Sequence, residues 1–383
     1  MGILKTEEKK EYAKGLEGVI AGETALSLVN GQEGKLFYEG ILVNDFISSD
    51  ATFEEVVYLL WFGKLPNRRE LALFSTELAC NRNLLPEIRS FLTSIPKQCH
   101  PMAMLRSAVS CLALYDPEAD DSSREANLRK AVRILAQLPT IIAGFDRMRH
   151  HQTPITANKD FGHAAHFLYL LTKKAPDPKH AKALDQYLIL LADHGYNAST
   201  FAARVTVSTQ SDLYSGVVSA IGTLKGDLHG SANQRAMEMI MEIGNVSNVE
   251  AYIKNLLREK KKIMGFGHRI YKHHDPRALI FKEIAKHICR DTKFEKWYQI
   301  SEKVEEVVWR EKRIPCNVDF YSASVLFAVG IPMDFFPTIF ALSRIAGWTA
   351  HILEQQKDNR LIRPEVLYRG PMNQPYVPIK DRK

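Results

Sequence analysis

Apolar residues recur at helical spacing along almost the whole chain, and this periodicity constrains the fold more than any other feature. Thr52-Phe-Glu-Glu55 has the pattern of a capping box and opens an apolar run, Val56 to Phe62, that stops at Gly63. Asn67 is placed to cap the helix that follows. No second run of alternating strands appears further along, which excludes a parallel sheet. The sequence therefore predicts an all-α fold.

One minor β element precedes the helices. Residues 25–29 and 35–39 flank a glycine-containing turn, 30–34, and together they predict a small hairpin. The helical period then continues between breaks at Pro, Gly or Asn-Arg-Asn, including a break between 137 and 140. The further helices are predicted near 86–94, 101–115, 123–137, 140–149, 161–173, 178–193, 199–207, 211–224, 231–243, 248–261, 276–290, 295–312, 320–329 and 334–356.

Chain length and charge limit the number of domains and the kinds of ligand that can be expected. With 383 residues, and about 150 residues per domain, the chain predicts two or three units. No Pro/Gly/Ser linker is visible, so a second domain should be an insertion with short connections. The 51 basic and 44 acidic residues leave a net charge of +7 that is spread along the chain. This excess mildly favours anionic ligands, whereas nucleic-acid binding would require a dense basic stripe.

The sequence also predicts a soluble, cytoplasmic protein. The longest stretch without Asp, Glu, Lys or Arg, Phe320 to Met333, has 14 residues, whereas a membrane-spanning helix needs about 20. Five widely spaced cysteines without a C-x-x-C pair fit a reducing compartment and argue against a disulfide framework or zinc site. The N-terminus lacks the apolar region of a secretory signal.

Several familiar motifs are missing. The chain has no P-loop, no H-E-x-x-H and no G-x-S-x-G, and Gly265-Phe-Gly267 lacks the third glycine and the preceding strand of a dinucleotide fingerprint. His163 and His166 lie three apart on one helix face without an acidic or cysteine partner nearby, so surface or core histidines are expected there. No metal site is predicted.

Polar residues do cluster at four boundaries between elements in the C-terminal half. Such boundaries let glycines and backbone N–H groups bring side chains and ligand together. The clusters are Asp193–Ser199, Gly226–Gln234, Met264–Arg277 and Pro315–Ser322.

Taken alone, Asp319 is best explained as the N-cap of the next helix, and His229 as a local hydrogen-bonding residue. Taken together, two histidines in Gly-flanked turns, a carboxylate at an apolar helix start and several arginines suit carbon-acid chemistry. Removing a proton next to a carbonyl requires a carboxylate base and a neutral donor for the developing enolate. Arginines can hold carboxylates in bidentate geometry.

The order and spacing of these motifs resemble the citrate synthase family over nearly the whole chain. N-terminal segments, Gly15 to Gly40 and Phe53 to Pro66, share the resemblance. The C-terminal motifs that carry it are His229-Gly-Ser-Ala-Asn233, Gly265-Phe-Gly-His268, Asp275-Pro-Arg277, Asn317-Val-Asp319, Ser343-Arg344 with Gly347, and Arg363-Pro364.

The resemblance implies a mostly helical homodimer with a large domain, residues 1–224 and 330–383, and an inserted small, mobile domain on the CoA side, residues 225–329. It implies condensation of acetyl-CoA with oxaloacetate, then thioester hydrolysis to citrate and CoA, a reaction of the tricarboxylic acid cycle. No metal and no cofactor beyond the co-substrate acetyl-CoA are implied, nor a nucleic-acid or membrane partner.

The same resemblance implies residue roles. Asp319 would be the base, His229 would donate to the thioester oxygen, and His268 would polarise the oxaloacetate carbonyl. The substrate carboxylates would be bound by His194, Arg277, Arg344 and, from the other subunit, Arg363. CoA would be bound by Gly265, Phe266, Gly267, Lys272, Arg310, Lys312 and Asn317, with Arg149 of the partner chain as a weaker candidate.

Departures from the family pattern are small. Ser231 and Ala323 stand where many relatives have glycine, and Lys272 stands where some carry arginine. None is a proposed catalytic group, so they bear on CoA affinity more than on chemistry. The alternatives left open are a 2-methylcitrate synthase that uses propionyl-CoA, an inactive helical scaffold of the same fold and, from basic charge alone, a nucleic-acid binder.

Overall fold

The computed structural model describes residues 13–271 and 273–383, and within them the architecture is helical. Short 3₁₀ turns lie at Lys14–Leu16, Val246–Asn248, Met333–Phe335 and Ile379–Asp381. The helices, numbered α1 to α16 in chain order, are Val43–Ser48, Phe53–Phe62, Arg68–Cys80, Pro86–Ser94, Pro101–Leu114, Arg124–Arg149, His163–Thr172, Pro178–Leu191, Ala198–Ser208, Leu213–Leu224, Ala232–Ile243, Val249–Arg258, Pro276–Cys289, Glu295–Lys312, Val318–Ala328 and Phe336–Lys357.

The predicted hairpin is confirmed. Strands β1 (Ser27–Asn30) and β2 (Lys35–Tyr38) pair antiparallel, with Ser27 opposite Tyr38 and Asn30 opposite Lys35. A third strand, β3 (Ile41–Leu42), pairs with β2 and was not predicted. Two residues are too few to show the alternation by which a strand is recognised in sequence.

The side chains predicted to cap α2 and α3 do so. The Thr52 hydroxyl accepts the backbone N–H of Glu55, while the Glu55 carboxylate accepts that of Thr52 at 2.7 Å. Gly63 ends α2 with a φ of +69°, a conformation that favours glycine. Asn67 caps α3 and forms a second capping box with Glu70. These local signals fix both ends of the connection between α2 and α3.

The predicted break between 137 and 140 is wrong, because α6 runs without interruption from Arg124 to Arg149. A proline inside a helix loses one backbone hydrogen bond and costs about 3 kcal/mol. Pro139 is itself buried, and helix α6 packs against α3, α5, α7 and α16. Burial of that long surface offsets the cost. Helix α1 was not predicted, since six residues are too few to show a helical period.

Helix α16 is the central element of the core. It contacts α2, α6, α8, α9 and α10 and is buried along nearly its whole length. Trp61 of α2 donates its indole N–H to Ala346 O at 3.1 Å and to Thr349 Oγ1 at 2.9 Å. Such an environment holds the middle of α16, where Arg344 lies, in one position.

Helices α11 to α15 form a second set of contacts. Helix α13 packs against α15, α11 against α15, and α12 against α14, while α8 and α16 join this set to the other helices. The predicted boundary between a large domain and a small domain at residues 225–329 runs close to the start of this set. The boundary itself stays a prediction.

Other expectations concern single residue types. All five cysteines are free. His163 and His166 are fully buried, as core histidines, and the described chain contains no group of three or more potential metal ligands. Among the described helices, none combines the length and the apolar character needed to cross a membrane.

Candidate active site

A cleft of about 1630 Å³ brings most of the predicted site residues together. Its walls come from the N-terminal segment 15–24, the hairpin, the starts of α9, α11 and α15, the segment 261–270, and α16. The predicted residues that line it are His194, His229, Gly265, Phe266, Gly267, His268, Arg277, Lys312, Asn317, Asp319 and Arg344.

Asp319 lies in the first turn of α15, but it is not the N-cap. That role belongs to Asn317, whose side-chain oxygen accepts the backbone N–H of Asp319 at 3.0 Å, so the capping explanation of Asp319 is wrong. The carboxylate of Asp319 is consequently not used as a helix cap. Its Oδ1 is buried and has no hydrogen-bond partner within the described chain, although part of the side chain faces the cleft.

The surroundings of Asp319 raise the pKa of its carboxyl group and so make it a stronger base. Burial raises the pKa of this carboxyl from its ordinary value to about 7, with Asp275 adding to the shift while Arg277 and Arg344 oppose it. A carboxylate with a pKa near neutrality is matched to proton abstraction at physiological pH. Asp319 therefore has both the free oxygen and the basicity that a general base needs.

His229 is fixed in one tautomer by α9. Its Nε2 accepts the backbone N–H of Ser199 at 3.3 Å and lies 2.8 Å from Ser199 Oγ, which in turn accepts the indole N–H of Trp348 at 3.0 Å. Because a backbone N–H can only donate, the proton of the neutral ring lies on Nδ1. Burial, with help from Arg344, lowers the pKa of His229 to about 4, so the ring is a neutral donor.

His268 is fixed in the opposite tautomer by its own loop. Its Nδ1 accepts the backbone N–H groups of Ile270 and Tyr271, both at 3.1 Å, which leaves the proton on Nε2. Burial, and after it Arg277, lowers the pKa of His268 to about 4. His229 and His268 are thus neutral imidazoles in the cleft, and each has one N–H free to donate.

Two buried guanidinium groups provide positive charge. Arg277 is 2% exposed and is held by Asp275, which accepts from its Nε at 3.0 Å and from its Nη2 at 2.9 Å. Arg344 is 1% exposed and donates from Nε to Leu191 O at 2.6 Å. Burial lowers the pKa of Arg344 to about 10; Asp193 opposes this shift, and the positive charge of Arg277 adds to it. Two buried cations close to one another favour binding of an anion.

His194 contacts Tyr271 and His268 within the cleft. Its Nε2 is 3.2 Å from the Tyr271 hydroxyl, and its ring centre is 5.4 Å from that of His268. Burial lowers the pKa of His194 well below its ordinary value, with Arg277 and Arg344 acting in the same direction. A neutral His194 can donate a hydrogen bond to a bound carboxylate without adding a third charge.

Glycines shape the loop at 265–267. Gly265 and Gly267 have φ values of +80° and +78°, and a Cβ on Gly265 would lie 2.8 Å from the Cβ of Phe320. The loop is joined to the segment before α15, since Gly267 N–H donates to Pro315 O, Asn317 N–H to Gly265 O, and the Asn317 amide to Gly267 O. The backbone of this loop is therefore held beside Asp319.

Two predicted residues, Arg310 and Arg363, lie outside this cleft. Arg310 does not line the cleft and forms ion pairs with Glu250 and Glu311. Arg363 is exposed and also lies outside the lining. Lys272 falls outside the described residues. Arg149, the weaker candidate, pairs with Asp146 and Asp334 within its own chain.

Sequence reasoning missed the residues that support the site. Tyr271 contacts both His194 and His268, Ser199 orients His229, and Asp275 holds Arg277 while accepting the backbone N–H of Val318 at 3.1 Å. Each stands inside or next to one of the four polar clusters, which was the available signal. Their partners lie up to 77 residues away in sequence, as for Tyr271 and His194, so the pairing itself had no local signature.

The fold and the site together define a helical enzyme for carbon-acid chemistry on an anionic substrate. A family model for the C-terminal domain of citrate synthase matches residues 15–365. The chain belongs to the citrate synthase family.

Relatives and solved structures agree with this placement. A protein described as citrate synthase 2 of Bacillus subtilis is 48% identical over 370 residues, covering 96% of this chain and 99% of the relative. A 2-methylcitrate synthase of Shewanella oneidensis is 42% identical, covering 98% of this chain and 100% of the relative. The Thermoplasma acidophilum citrate synthase, solved with carboxymethyl coenzyme A and oxaloacetate, superposes with a TM-score of 0.92 at 33% identity, covering 97% and 100%.

Proposed function

We propose that the protein condenses acetyl-CoA with oxaloacetate and water to form citrate and CoA. The observation that carries this proposal is the free, buried Oδ1 of Asp319, on a carboxyl with a pKa of about 7, in a cleft with two neutral imidazole donors. The substrate pair is supported by the similar archaeal enzyme solved with oxaloacetate and a CoA derivative.

The first step forms the carbon nucleophile. Asp319 removes a proton from the methyl group of acetyl-CoA, and Nδ1–H of His229 donates to the thioester oxygen as negative charge develops there. A preorganised donor in a cleft that excludes water stabilises such a charge far better than solvent does, and loss of one donor of this kind typically costs about 10²–10³ in rate. The geometry of Ser199 keeps that donor pointing from Nδ1.

The second step forms the carbon–carbon bond. Nε2–H of His268 polarises the keto group of oxaloacetate, while Arg277, Arg344 and His194 hold its carboxylates. The enolate carbon attacks the keto carbon, and the resulting alkoxide takes the Nε2 proton of His268 to give citryl-CoA; the ring regains a proton from solvent as Asp319 releases the one it removed. Water then cleaves the thioester, which releases citrate and CoA. All of these steps use only side chains of the cleft, without a cofactor beyond the CoA substrate.

The backbone of Gly265–Gly267, with Asn317, would bind the pantetheine arm of CoA, and Lys312 at the rim would meet its phosphates. The assignments of Arg310 and Lys272 to CoA remain predictions. For Arg310, CoA would have to compete with Glu250 and Glu311 for the guanidinium.

We further propose that residues 225–329 act as a small domain that closes over the substrates, and that the protein works as a homodimer. Arg363 is exposed and outside the cleft of its own chain, as expected of a residue that completes the site of a second copy. A cytoplasmic location fits the substrates and the free cysteines.

Release of free thiol from acetyl-CoA in the presence of oxaloacetate tests the function. We expect turnover with acetyl-CoA, and a kcat/KM for propionyl-CoA lower by about 10-fold or more, since one methylene is worth about 1–3 kcal/mol of discrimination. A preference for propionyl-CoA would contradict the choice of acyl donor. Absence of thiol release from folded protein would contradict the enzyme assignment altogether.

A further inference from the structure

A buried polar network lies directly behind the carboxylate-binding side of the cleft. It is centred on His351 of α16, which is fully buried and lies outside the lining of the cleft. On one side of this ring is Arg204 of α9, and on the other is Asp193, at the end of α8. Neither the family motifs nor the proposed mechanism uses His351.

Arg204 determines which proton the His351 ring carries. Its Nη1 lies 3.1 Å from His351 Nδ1, and a guanidinium can only donate, so Nδ1 accepts and the ring proton lies on Nε2. Arg204 is itself held by Glu354 at 2.5 Å, by Gln355 at 3.0 Å and by the ring of Tyr196. The position and tautomer of His351 are therefore fixed.

Nε2–H of His351 donates to Oδ2 of Asp193 at 3.2 Å. The same oxygen accepts the backbone N–H of Gly195 at 3.1 Å and the hydroxyl of Ser27. Because the Asp193 side chain binds the backbone two residues ahead, it closes a turn around His194, and Gly195 adopts a φ of +57° within it. The orientation of Asp193 thus sets the backbone of a substrate-binding residue.

Close packing against α16 fixes the position of the Asp193 side chain. A Cβ on Gly347 would be 2.4 Å from Asp193 Oδ1 and 2.5 Å from Ala192 O, so only glycine fits at that position of α16. Burial alone would raise the pKa of Asp193, but His351, Arg344 and Ser27 outweigh it and keep the pKa below its ordinary value. The carboxylate remains charged and acceptor-only.

We propose that His351 is a positioning residue for oxaloacetate binding, acting through Asp193 on the turn that carries His194. The inference rests on the proposed function, because it concerns the binding of that substrate. It assigns His351 no contact with substrate and no proton transfer. Groups that orient metal ligands from behind typically change affinity or activity by about 10- to 100-fold when they are removed, and we expect an effect of similar size here.

Two substitutions of His351 separate positioning from packing. His351→Gln retains a donor toward Asp193 and an acceptor toward Arg204, whereas His351→Phe fills the volume without either. We expect His351→Phe to raise the KM for oxaloacetate by about 10-fold or more, with the KM for acetyl-CoA within about twofold of wild type. His351→Gln should restore most of the oxaloacetate affinity.

His166→Phe is the matched control, because His166 is also a fully buried histidine and its ring nitrogens have no hydrogen-bond partner among the described residues. It should leave both KM values unchanged. Equal changes in both KM values for His351→Phe, or no recovery in His351→Gln, would overturn the positioning role. If His351→Phe does not fold, His351→Asn, which is too short to reach both partners, replaces it with the same expected split.

Failure of the proposed function gives a different result. Wild-type protein that releases no thiol contradicts the enzyme assignment, whatever the variants do. In that case calorimetric titration with oxaloacetate alone still tests the positioning role. Weaker binding to His351→Phe than to wild type and His351→Gln supports it, and equal or undetectable binding in all three contradicts it.

Discussion

The two walls of the cleft are built in different ways. One of them, called the carboxylate wall because it is proposed to bind the oxaloacetate carboxylates, includes His194 in the turn after α8 and Arg344 in the middle of α16, both of them buried. The other, called the thioester wall because it is proposed to bind acetyl-CoA, consists of residues 264–267 and 317–319, which lie on a glycine loop and at a helix start. The first wall is held by side chains that cross between helices, as in the bonds from Ser343 and Arg344 to the carbonyls of α8. The second is held by backbone hydrogen bonds between two loops.

Because they are built differently, the two walls supply different properties. Packing inside the core preorganises charged groups that would otherwise be costly to bury, so the carboxylate wall supplies fixed charge. Loop backbone with positive φ brings main-chain groups close to a ligand, so the thioester wall supplies shape together with one titrating group, Asp319. Substitutions in the two walls should therefore affect different kinetic constants.

The largest effect is expected from Asp319→Asn in the thioester wall. The amide keeps the size of the side chain but removes the base, so kcat should fall by about 10³-fold, within the usual contribution of general base catalysis. Steady-state thiol release measures it. Asp291→Asn, a change of an exposed carboxylate with 89% of its side chain accessible, is the control and should be silent. Near-normal turnover in Asp319→Asn would show that the base lies elsewhere.

In the carboxylate wall, Arg344→Lys keeps the charge but loses the planar fork. We expect the KM for oxaloacetate to rise by about 100-fold, equivalent to about 3 kcal/mol, while the KM for acetyl-CoA changes little. Initial rates with each substrate varied in turn provide both constants. Equal changes in the two KM values would contradict the proposal that each wall binds a different substrate.

The pH dependence of kcat/KM should reflect the ionisation of one group, Asp319 of the thioester wall. Asp319 must be ionised to act, so kcat/KM should fall as pH drops through about 7, by about 10-fold between pH 8 and pH 6. His229 and His268, with pKa values of about 4, stay neutral over this range and add no second limb. A pH–rate profile checks this, and a flat profile from pH 6 to 8 would contradict the raised pKa.

The raised pKa of Asp319 also predicts that the stability of the fold decreases over the pH range in which activity increases. The pKa of Asp319 is higher in the folded than in the unfolded state, so its ionisation destabilises the fold increasingly from about pH 4 to about pH 7. Asp319→Asn should therefore gain stability relative to wild type as pH rises through this window, with no further gain above it. Chemical denaturation at pH 5 and pH 8 measures the difference.

A smaller effect is expected from Gly265→Ala. A Cβ there would meet Phe320 at 2.8 Å in a backbone conformation of positive φ, so the loop must shift. We expect the KM for acetyl-CoA to rise about fivefold, with the oxaloacetate constant unchanged. Gly63→Ala has a similar φ but an open surrounding, so it controls for backbone strain and should alter neither constant. Equal effects of both variants would refute a local role for the loop.

Local signals in the sequence predicted much of the fold. The capping box at Thr52, the cap at Asn67 and the stop at Gly63 depend on residues within one or two turns, and all three are confirmed. Most residues assigned to the cleft do lie together, because the motifs that carried the family resemblance stand at the ends of helices that converge there.

What the sequence could not predict depends on contacts between distant residues. Pro139 stays inside α6 because packing of a long helix outweighs a local penalty. The pairing of Arg310 with Glu250 spans 60 residues, and that of His351 with Asp193 spans 158. Asp319 resembles a cap by its position, and only the structure shows that Asn317 two residues earlier already fills that role.

The backbone bridge between Phe266 and Cys316 also has a consequence for the order of folding. Its two arms are separated by α13 and α14, and the bond from Asn317 to Gly267 closes 50 residues of chain. Closing a long loop carries an entropic cost that local helices do not have, so contacts of this kind tend to form late. Refolding should accordingly restore helical circular dichroism before it restores turnover. The thioester wall would be among the last parts of the molecule to become native.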